Sequence, residues 1–226
     1  MLAERWERWA AIAGIVFFPL VVVSVVLALG APGEKDTVQK FATYFADNGN
    51  QTKFYLSTLA GALAGILFLW FLTALRSVLL RAEGMPGPMT TMAFAGGVLL
   101  LTLQVAAGAV AVAYPSAVDF FDKFGSDGRL AMALSGLSFW LAQLSGVGGT
   151  LLGAGVAAVA FRTGVLPRWL AWFTVLVAVG QLVSLVFFWP GLLGVIWVLV
   201  LAGYMLSARR PAAATIPEAR ATAGAA

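Results

Sequence analysis

The sequence contains no cysteine and no histidine. Without cysteine the chain forms no disulfide, no thiolate metal site and no thiol nucleophile. Without histidine it offers no ligand for a His-bound haem and no imidazole for a catalytic triad or a proton relay. A metal ion would therefore be bound by oxygen ligands alone, which narrows the choice to hard cations.

Charged residues are also scarce. They make up 11% of the 226 residues, whereas 61% are hydrophobic. Ordinary soluble domains are about 25% charged and about 45–50% apolar, so both departures indicate a chain whose solvent is a lipid bilayer. The net charge of +4 comes from basic residues between long apolar runs. We interpret them as topology determinants and expect no nucleic-acid partner.

Six apolar runs are long enough to cross a hydrocarbon core of about 30 Å, which needs about 20 residues. They predict an all-α fold: a single domain over 1–208 that forms an integral membrane bundle of six transmembrane helices, followed by a disordered cytoplasmic tail over 209–226. We expect the first helix to be retained, because cleaved signal peptides have shorter apolar regions of about 7–15 residues. The predicted helices cover about 10–30, 54–80, 89–114, 133–161, 169–189 and 191–208.

The distribution of lysine and arginine predicts that both termini are cytoplasmic. With the N-terminus inside, nine basic residues are inside and five are outside, as the positive-inside rule requires. The inner residues are Arg5, Arg8, Arg76, Arg81, Arg162, Arg168, Arg209, Arg210 and Arg220, and the outer ones are Lys35, Lys40, Lys53, Lys123 and Arg129.

Short amphipathic helices are predicted in outer loops 1 and 3. In the first, Asp36–Gln39 has the pattern of a capping box, and Phe41 and Phe45 follow at helical spacing. In the second, Ser116–Asp119 has the same pattern and precedes Phe120 and its neighbours. We interpret both as helices that cover the ends of the bundle in the outer interface. The alternative is a lid or a partner surface.

The apolar runs inside these helices, of which the second covers 54–75, contain no charged residue, which argues against ion-coupled transport and voltage sensing. Their most polar residues are Gln104, Gln143 and Gln181, on the third, fourth and fifth helices. An unbonded amide in hydrocarbon costs on the order of several kcal/mol, so each should face the bundle and form hydrogen bonds. Gln181 shares a helix face with Thr174 and Ser184.

These five residues allow two interpretations. The favoured one is that the polar groups bond helices together, at about 1–2 kcal/mol each or less. The alternative is an outward-facing pocket between the third, fourth and fifth helices that binds a neutral or lipophilic ligand.

The stretch LSGVGGTLLGAG, residues 144–155, contains five glycines and superficially resembles a nucleotide loop. It lies inside an apolar helix, where a phosphate would be too costly to desolvate. At helical spacing it forms two ridges of small residues that favour close helix packing, with Gly61 and Gly65 of the second helix as the expected partner. The ridges are Ser145, Gly149, Gly153 and Ala157, and Gly146, Thr150, Ala154 and Ala158.

Asp119 and Asp122 are three residues apart and, with Asp127, form the one acidic cluster of interest. Carboxylates at this spacing share a helix face and could hold a divalent cation weakly or act as an acid/base pair. They match no calcium-loop pattern. We favour a solvated face and predict no metal, no cofactor and no catalytic residue.

Three short segments, Leu75–Arg76, Leu80–Gly84 and Arg162–Trp172, resemble an uncharacterised family of multi-pass membrane proteins of high-GC Gram-positive bacteria. The resemblance covers roughly residues 10–208. It implies a bacterial plasma membrane and about six helices, and it supplies no catalytic residue. We therefore expect a non-enzymatic accessory or interaction subunit, whose partners are the bilayer and a membrane protein or a second copy of the chain. The alternatives are a small permease or receptor and, third, an enzyme that uses the Asp cluster.

Overall fold

The computed structural model describes residues 2–33, 36–121, 128–187 and 189–207. Within these ranges every regular element is a helix, so the all-α prediction is confirmed for them. The predicted tail, 209–226, lies outside the described residues. The helices are α1 (Leu2–Ala28), α2 (Val38–Phe45), α3 (Asn48–Glu83), α4 (Pro88–Phe121), α5 (Gly128–Thr163), α6 (Arg168–Val183) and, after a 3-10 turn over Trp189–Leu192, α7 (Leu193–Ser207).

Within the described ranges five helices are long and apolar enough to cross a membrane: α1, α3, α4, α5 and α7 together with the turn before it. α6 has 16 residues and is about 24 Å long, so it falls short of this length. The helix predicted at 169–189 was therefore wrong in its last part. The chain leaves helical geometry at Ser184, whose hydroxyl donates to the backbone oxygen of Gln181. The next amide, Leu185 N, donates to Leu182 O, three residues earlier, instead of to the oxygen four residues earlier.

Successive long helices of the bundle run in opposite directions. Ser24 of α1 bonds Ser57 of α3 near one end, and Glu7 pairs with Arg81 near the other. The later neighbours in the chain, from α3 and α4 to α6 and α7, are antiparallel in the same way. The described chain therefore begins and ends at the same end of the bundle. We call this the arginine end. The loops over 84–87 and 164–167 lie at this end. The opposite end, with α2 and the turn over 184–192, is the hairpin end.

Glu83, the last residue of α3, caps the first turn of α4 at the arginine end. Its carboxylate accepts hydrogen bonds from Met89 N at 3.0 Å, from Thr90 N at 2.8 Å and from the Thr90 hydroxyl at 2.7 Å. The first amides of a helix have no partner within that helix, and these bonds satisfy two of them. The two helices are therefore joined by a side chain as well as by the short loop.

α2 occupies the first of the two loops in which a short helix was predicted. Its N-cap is Thr37, whose Oγ1 accepts from Lys40 N at 3.3 Å. Phe41 and Phe45 are buried against α4 and α5. Before the helix, the hydrogen bond from the Lys40 ammonium lowers the pKa of Asp36. α2 is thus packed on the hairpin end by its two phenylalanines.

The second loop helix does not begin at Ser116, so that prediction was wrong. α4 continues unbroken to Phe121 and contains Pro115. Proline removes one backbone hydrogen bond, which can kink a helix without ending it. Asp122 lies outside the described residues, as does the side chain of Asp119.

α5 lies at the centre of the bundle and packs against α4, α6, α2 and part of α3. α7 packs against α1 on the other side of the core: a Cβ on Gly14 of α1 would lie 2.8 Å from Ala202 of α7 and 2.8 Å from Phe71 of α3. The main core therefore joins both halves of the chain. Its large buried residues include Phe71, Leu72, Leu75, Leu79, Val156, Val159, Leu170 and Leu201.

Candidate functional site

Gln181 lies where α5, α6 and α7 meet. The residue is 7% exposed, and its amide donates to Gly191 O at 2.9 Å. A Cβ on Gly149 of α5 would lie 2.7 Å from Gln181 Oε1, and a Cβ on Gly194 of α7 would overlap Gln181 Nε2. The amide thus fills a notch, formed by Gly149 and Gly194, that exists because neither residue has a side chain.

The backbone of Gln181 is also closely packed. The Ser184 hydroxyl donates to Gln181 O at 2.6 Å. A Cβ on Gly146 of α5 would overlap the same oxygen and lie 2.6 Å from Ser184 Oγ. Two predicted site residues, Gln181 and Ser184, are thus brought together, but their polar atoms are used in bonds within the chain.

Thr174 lies on the side of α6 that faces α7. It is fully buried, and its hydroxyl donates to Leu170 O at 2.8 Å and accepts from Trp197 Nε1 at 2.8 Å. Sequence reasoning missed Trp197, although a tryptophan inside an apolar run needs an acceptor for its N–H. The Thr174 hydroxyl therefore links α6 to α7.

Gln104 lies on α4 and does not share a space with Gln181. Its amide donates to Ser145 Oγ of α5 at 3.0 Å, and that hydroxyl donates to Ala142 O at 2.6 Å. Ser145 is buried, whereas Gln104 lies exposed on the side of the bundle. This bond joins α4 to α5.

Gln143 differs from the other two glutamines. It is 5% exposed, yet its amide forms no hydrogen bond with any residue that the structure describes. It lies seven residues before Thr150, and therefore on the side of α5 that faces α6. The amide atoms are not fully enclosed, so Gln143 is the predicted site residue that retains capacity for a polar contact.

The predicted small-residue ridges of α5 face α6, except at Ser145, which bonds α4. A Cβ on Gly153 would lie 2.8 Å from Ala178 Cβ, and Gly149 meets Gln181. The Thr150 hydroxyl donates to Gly146 O at 2.8 Å and lies 3.3 Å from Ala178 O. The two glycines therefore allow α6 to approach closely.

α5 also approaches α4 through glycines outside the predicted ridges. A Cβ on Gly148 would lie 2.6 Å from Gly96 O of α4, and a Cβ on Gly155 would lie 2.6 Å from Met89 O. Backbone meets backbone at both points. Gly148 and Gly155 are seven residues apart and so share a face, a signal in the sequence that could have identified this contact.

The prediction that Gly61 and Gly65 pack against the small-residue ridges of α5 was wrong. A Cβ on Gly61 would lie 3.4 Å from Ser24 Oγ of α1, and a Cβ on Gly65 would lie 2.9 Å from Leu101 Cδ1 of α4. The two glycines are on α3, which lies between α1 and α4. They pack against these neighbours and not against α5.

An open apolar groove of about 340 Å³ runs between α5 and α6 toward the arginine end. Just beyond it the rings of Phe161 and Trp172 meet edge to face, 5.2 Å apart. None of the three glutamines lines this groove. It is apolar and lies in the other half of the bundle from the predicted outward-facing pocket. Its lining residues are Thr150, Ala154, Ala157, Phe161, Val175, Ala178, Val179 and Leu182.

Among the described residues, no three acidic, histidine or cysteine side chains lie close enough together to hold a metal ion. The cation site considered at Asp119 and Asp122 lies outside the described residues and side chains.

Compared with models of protein families, with curated proteins and with solved structures, the chain matches none of them. The resemblance to a bacterial membrane-protein family therefore stays a prediction from the sequence.

Proposed function

We propose that the chain is a bacterial plasma-membrane protein that crosses the bilayer six times, with both termini in the cytoplasm, and acts as a non-enzymatic accessory or interaction subunit. The bacterial origin rests on the resemblance of Leu75–Arg76, Leu80–Gly84 and Arg162–Trp172 to that family. The proposed role as an accessory subunit rests on the hydrogen bonds that the polar side chains of the bundle form within the chain.

Gln104, Gln181, Thr174 and Ser184 each bond another helix, a turn or the backbone of their own helix. Groups engaged in this way stabilise a bundle and are not available to a transported solute. The described bundle therefore supports a protein that works through its surface. That surface is largely apolar.

The sixth crossing depends on α6, which is short. Trp169 and Trp172 lie at its arginine end, where interfacial tryptophans belong, and the exposed Val186 extends its apolar surface beyond Val183. A short span is accommodated by local thinning of the bilayer at a cost of fractions of a kcal/mol per ångström. The alternating helix directions support the same arrangement.

Single-cysteine labelling tests the topology cleanly, because the chain has no thiol of its own. In intact cells, a membrane-impermeant maleimide should label Lys40→Cys and Phe187→Cys at the hairpin end. It should label Met85→Cys and Thr163→Cys only after the membrane is opened. If Thr163→Cys and Phe187→Cys react from the same side, α6 does not cross the bilayer.

Site-specific photocrosslinking tests the interaction role. A photoreactive residue is placed at one exposed apolar position on each of three helices, Val26 of α1, Ile66 of α3 and Val179 of α6. We expect a discrete protein adduct from one face and lipid adducts alone from the others. An adduct of twice the chain's mass identifies a second copy as the partner. Lipid adducts alone from all three faces would overturn the proposal.

A receptor for a neutral ligand is a second candidate, and the unbonded amide of Gln143 is the observation that favours it. The test is a screen of neutral small molecules for one that raises the melting temperature of the purified protein. A receptor predicts a shift that Gln143→Leu abolishes and that an exposed apolar substitution, Leu144→Val, preserves. A shift that is equal in all three proteins, or no shift with any compound, excludes a ligand held by Gln143.

A further inference from the structure

The groove between α5 and α6 lies within one half of the bundle. Its lining spans about 16 Å of α5, from Thr150 to Phe161, and about 10 Å of α6, from Val175 to Leu182. Both lengths fit within one leaflet, which is about half of a hydrocarbon core of about 30 Å. Its lining is apolar apart from Thr150, whose hydroxyl is already bonded to Gly146 O.

The groove is small and opens away from the bundle. Its volume is about 340 Å³ and its lining is apolar. In a membrane the open side meets the hydrocarbon of the lipids, so a single acyl chain is the occupant that this lining favours.

The mouth of the groove carries aromatic rings and a cation. Trp172 is 65% exposed beside Phe161, at the depth expected of an interfacial tryptophan. Arg168 lies seven residues before Val175, so both are on the groove side of α6. Its side chain is directed toward the N-terminus of the helix, out of the apolar region. It forms no ion pair with any described residue.

We propose that this groove binds one acyl chain of an anionic phospholipid from the leaflet at the arginine end, with the phosphate of the headgroup paired to Arg168. The proposal rests on the membrane placement proposed above. The apolar slot supplies affinity for the chain, and the guanidinium supplies the preference for an anionic headgroup.

Native mass spectrometry of the purified, delipidated protein, titrated with dioleoyl phosphatidylglycerol and separately with dioleoyl phosphatidylcholine, tests the proposal. The wild type should bind one phosphatidylglycerol more tightly than phosphatidylcholine. Arg168→Gln should lose about fivefold in affinity for phosphatidylglycerol and keep its affinity for phosphatidylcholine. Its matched control is Arg8→Gln, which removes an exposed arginine at the same end and should have no effect.

Ala154→Phe should fill the groove and weaken the binding of both lipids at least about tenfold. Ala154 is exposed, so this change does not disturb the core, and circular dichroism melting checks that the fold is kept. Its control is Gly203→Phe on α7, where a Cβ would meet no atom within 4 Å.

Three results would overturn the proposal: equal binding of the two lipids by the wild type, unchanged binding in Ala154→Phe, or equal losses in Arg168→Gln and Arg8→Gln. A dimer that Ala154→Phe abolishes would name a second copy as the occupant instead. A chain that does not fractionate with membranes would defeat the proposed function, which is a separate observation.

Discussion

The contact between α5 and α6, which we call the seam, has two unlike halves. Toward the hairpin end, Gly146 and Gly149 let α6 approach until the side chain and the backbone oxygen of Gln181 touch α5. Toward the arginine end, Ala154, Ala157 and a ring, Phe161, stand in the same row and the groove opens. The side chains of this row grow from none at the two glycines to a methyl group at Ala154 and Ala157 and a ring at Phe161. Where the row is glycine the helices close and their polar atoms meet, and where it carries larger side chains an apolar groove lies between the helices.

The largest expected effect comes from closing the glycine half with a side chain. Gly149→Leu should lower the melting temperature of the purified protein by at least about 5 °C, or prevent folding. The new side chain must enter the space that Gln181 occupies, and overpacking costs about 1–3 kcal/mol or more, at about 2–4 °C per kcal/mol for a chain of this size.

The matched change in the other half is Ala154→Leu, which enters the groove and should shift the melting temperature by no more than about 2 °C. Equal shifts in the two variants would remove the distinction between the halves.

The contact of α6 with α7 should be nearly as sensitive as the glycine half. Thr174→Val should cost about 1–3 kcal/mol, because it leaves the buried Trp197 N–H without an acceptor. Denaturation followed by tryptophan fluorescence measures the loss. Adding Trp197→Phe should recover part of it, since replacing both partners by apolar groups can be nearly neutral. A double variant as unstable as the sum of the single ones would show that the bond is not the cause.

Gln181→Leu should cost about 0.6–2 kcal/mol, since it removes the amide bond to Gly191 O between α6 and the turn before α7. Gln143→Leu is the internal comparison on the same seam. Its amide has no described partner, so its replacement should leave thermal stability unchanged or raise it. Equal destabilisation by Gln143→Leu and Gln181→Leu would contradict the difference between a bonded and an unbonded amide on this seam.

The smallest effect is expected at the boundary between the two halves. Thr150→Val keeps the shape of the side chain and removes a hydroxyl whose main bond is to Gly146 O within its own helix. Such bonds add little to stability, so the change should stay within about 0.5 kcal/mol in a chemical denaturation series. A loss above about 1 kcal/mol would contradict this, and would show that the 3.3 Å hydrogen bond from the Thr150 hydroxyl to Ala178 O stabilises the contact between α5 and α6.

The helices themselves were predictable, because each long apolar run forms one. Their ends were not. α3 continues to Glu83 and α4 to Phe121, beyond the predicted ends at 80 and 114, whereas α6 stops at Val183 within an apolar run. Hydropathy measures what a residue prefers to be surrounded by and does not record where the backbone stops being helical. At α6 the end depends on a side-chain bond from Ser184 that competes with the helix.

For the candidate site, the residue types were predictable and the partners were not. The positions of Gln104 and Gln181 inside apolar runs already implied hydrogen bonds, which the structure contains. The sequence could not say that Ser145 and Gly191 accept them. Periodicity gives the face of a residue on its own helix but not the neighbour on that side. α5 carries small residues on several faces, so the face toward α4 was missed.

The notch at Gln181 also determines how α6 can move. Sliding by one turn, about 5.4 Å, would empty the space between Gly149 and Gly194, so translation along α5 is blocked. The N-terminal part of α6 is held as well, because Leu170 is fully buried in the main core. Between these two points the Thr174 hydroxyl bonds Trp197 of α7. The helix is therefore fixed at both of its ends and along the side that faces α7.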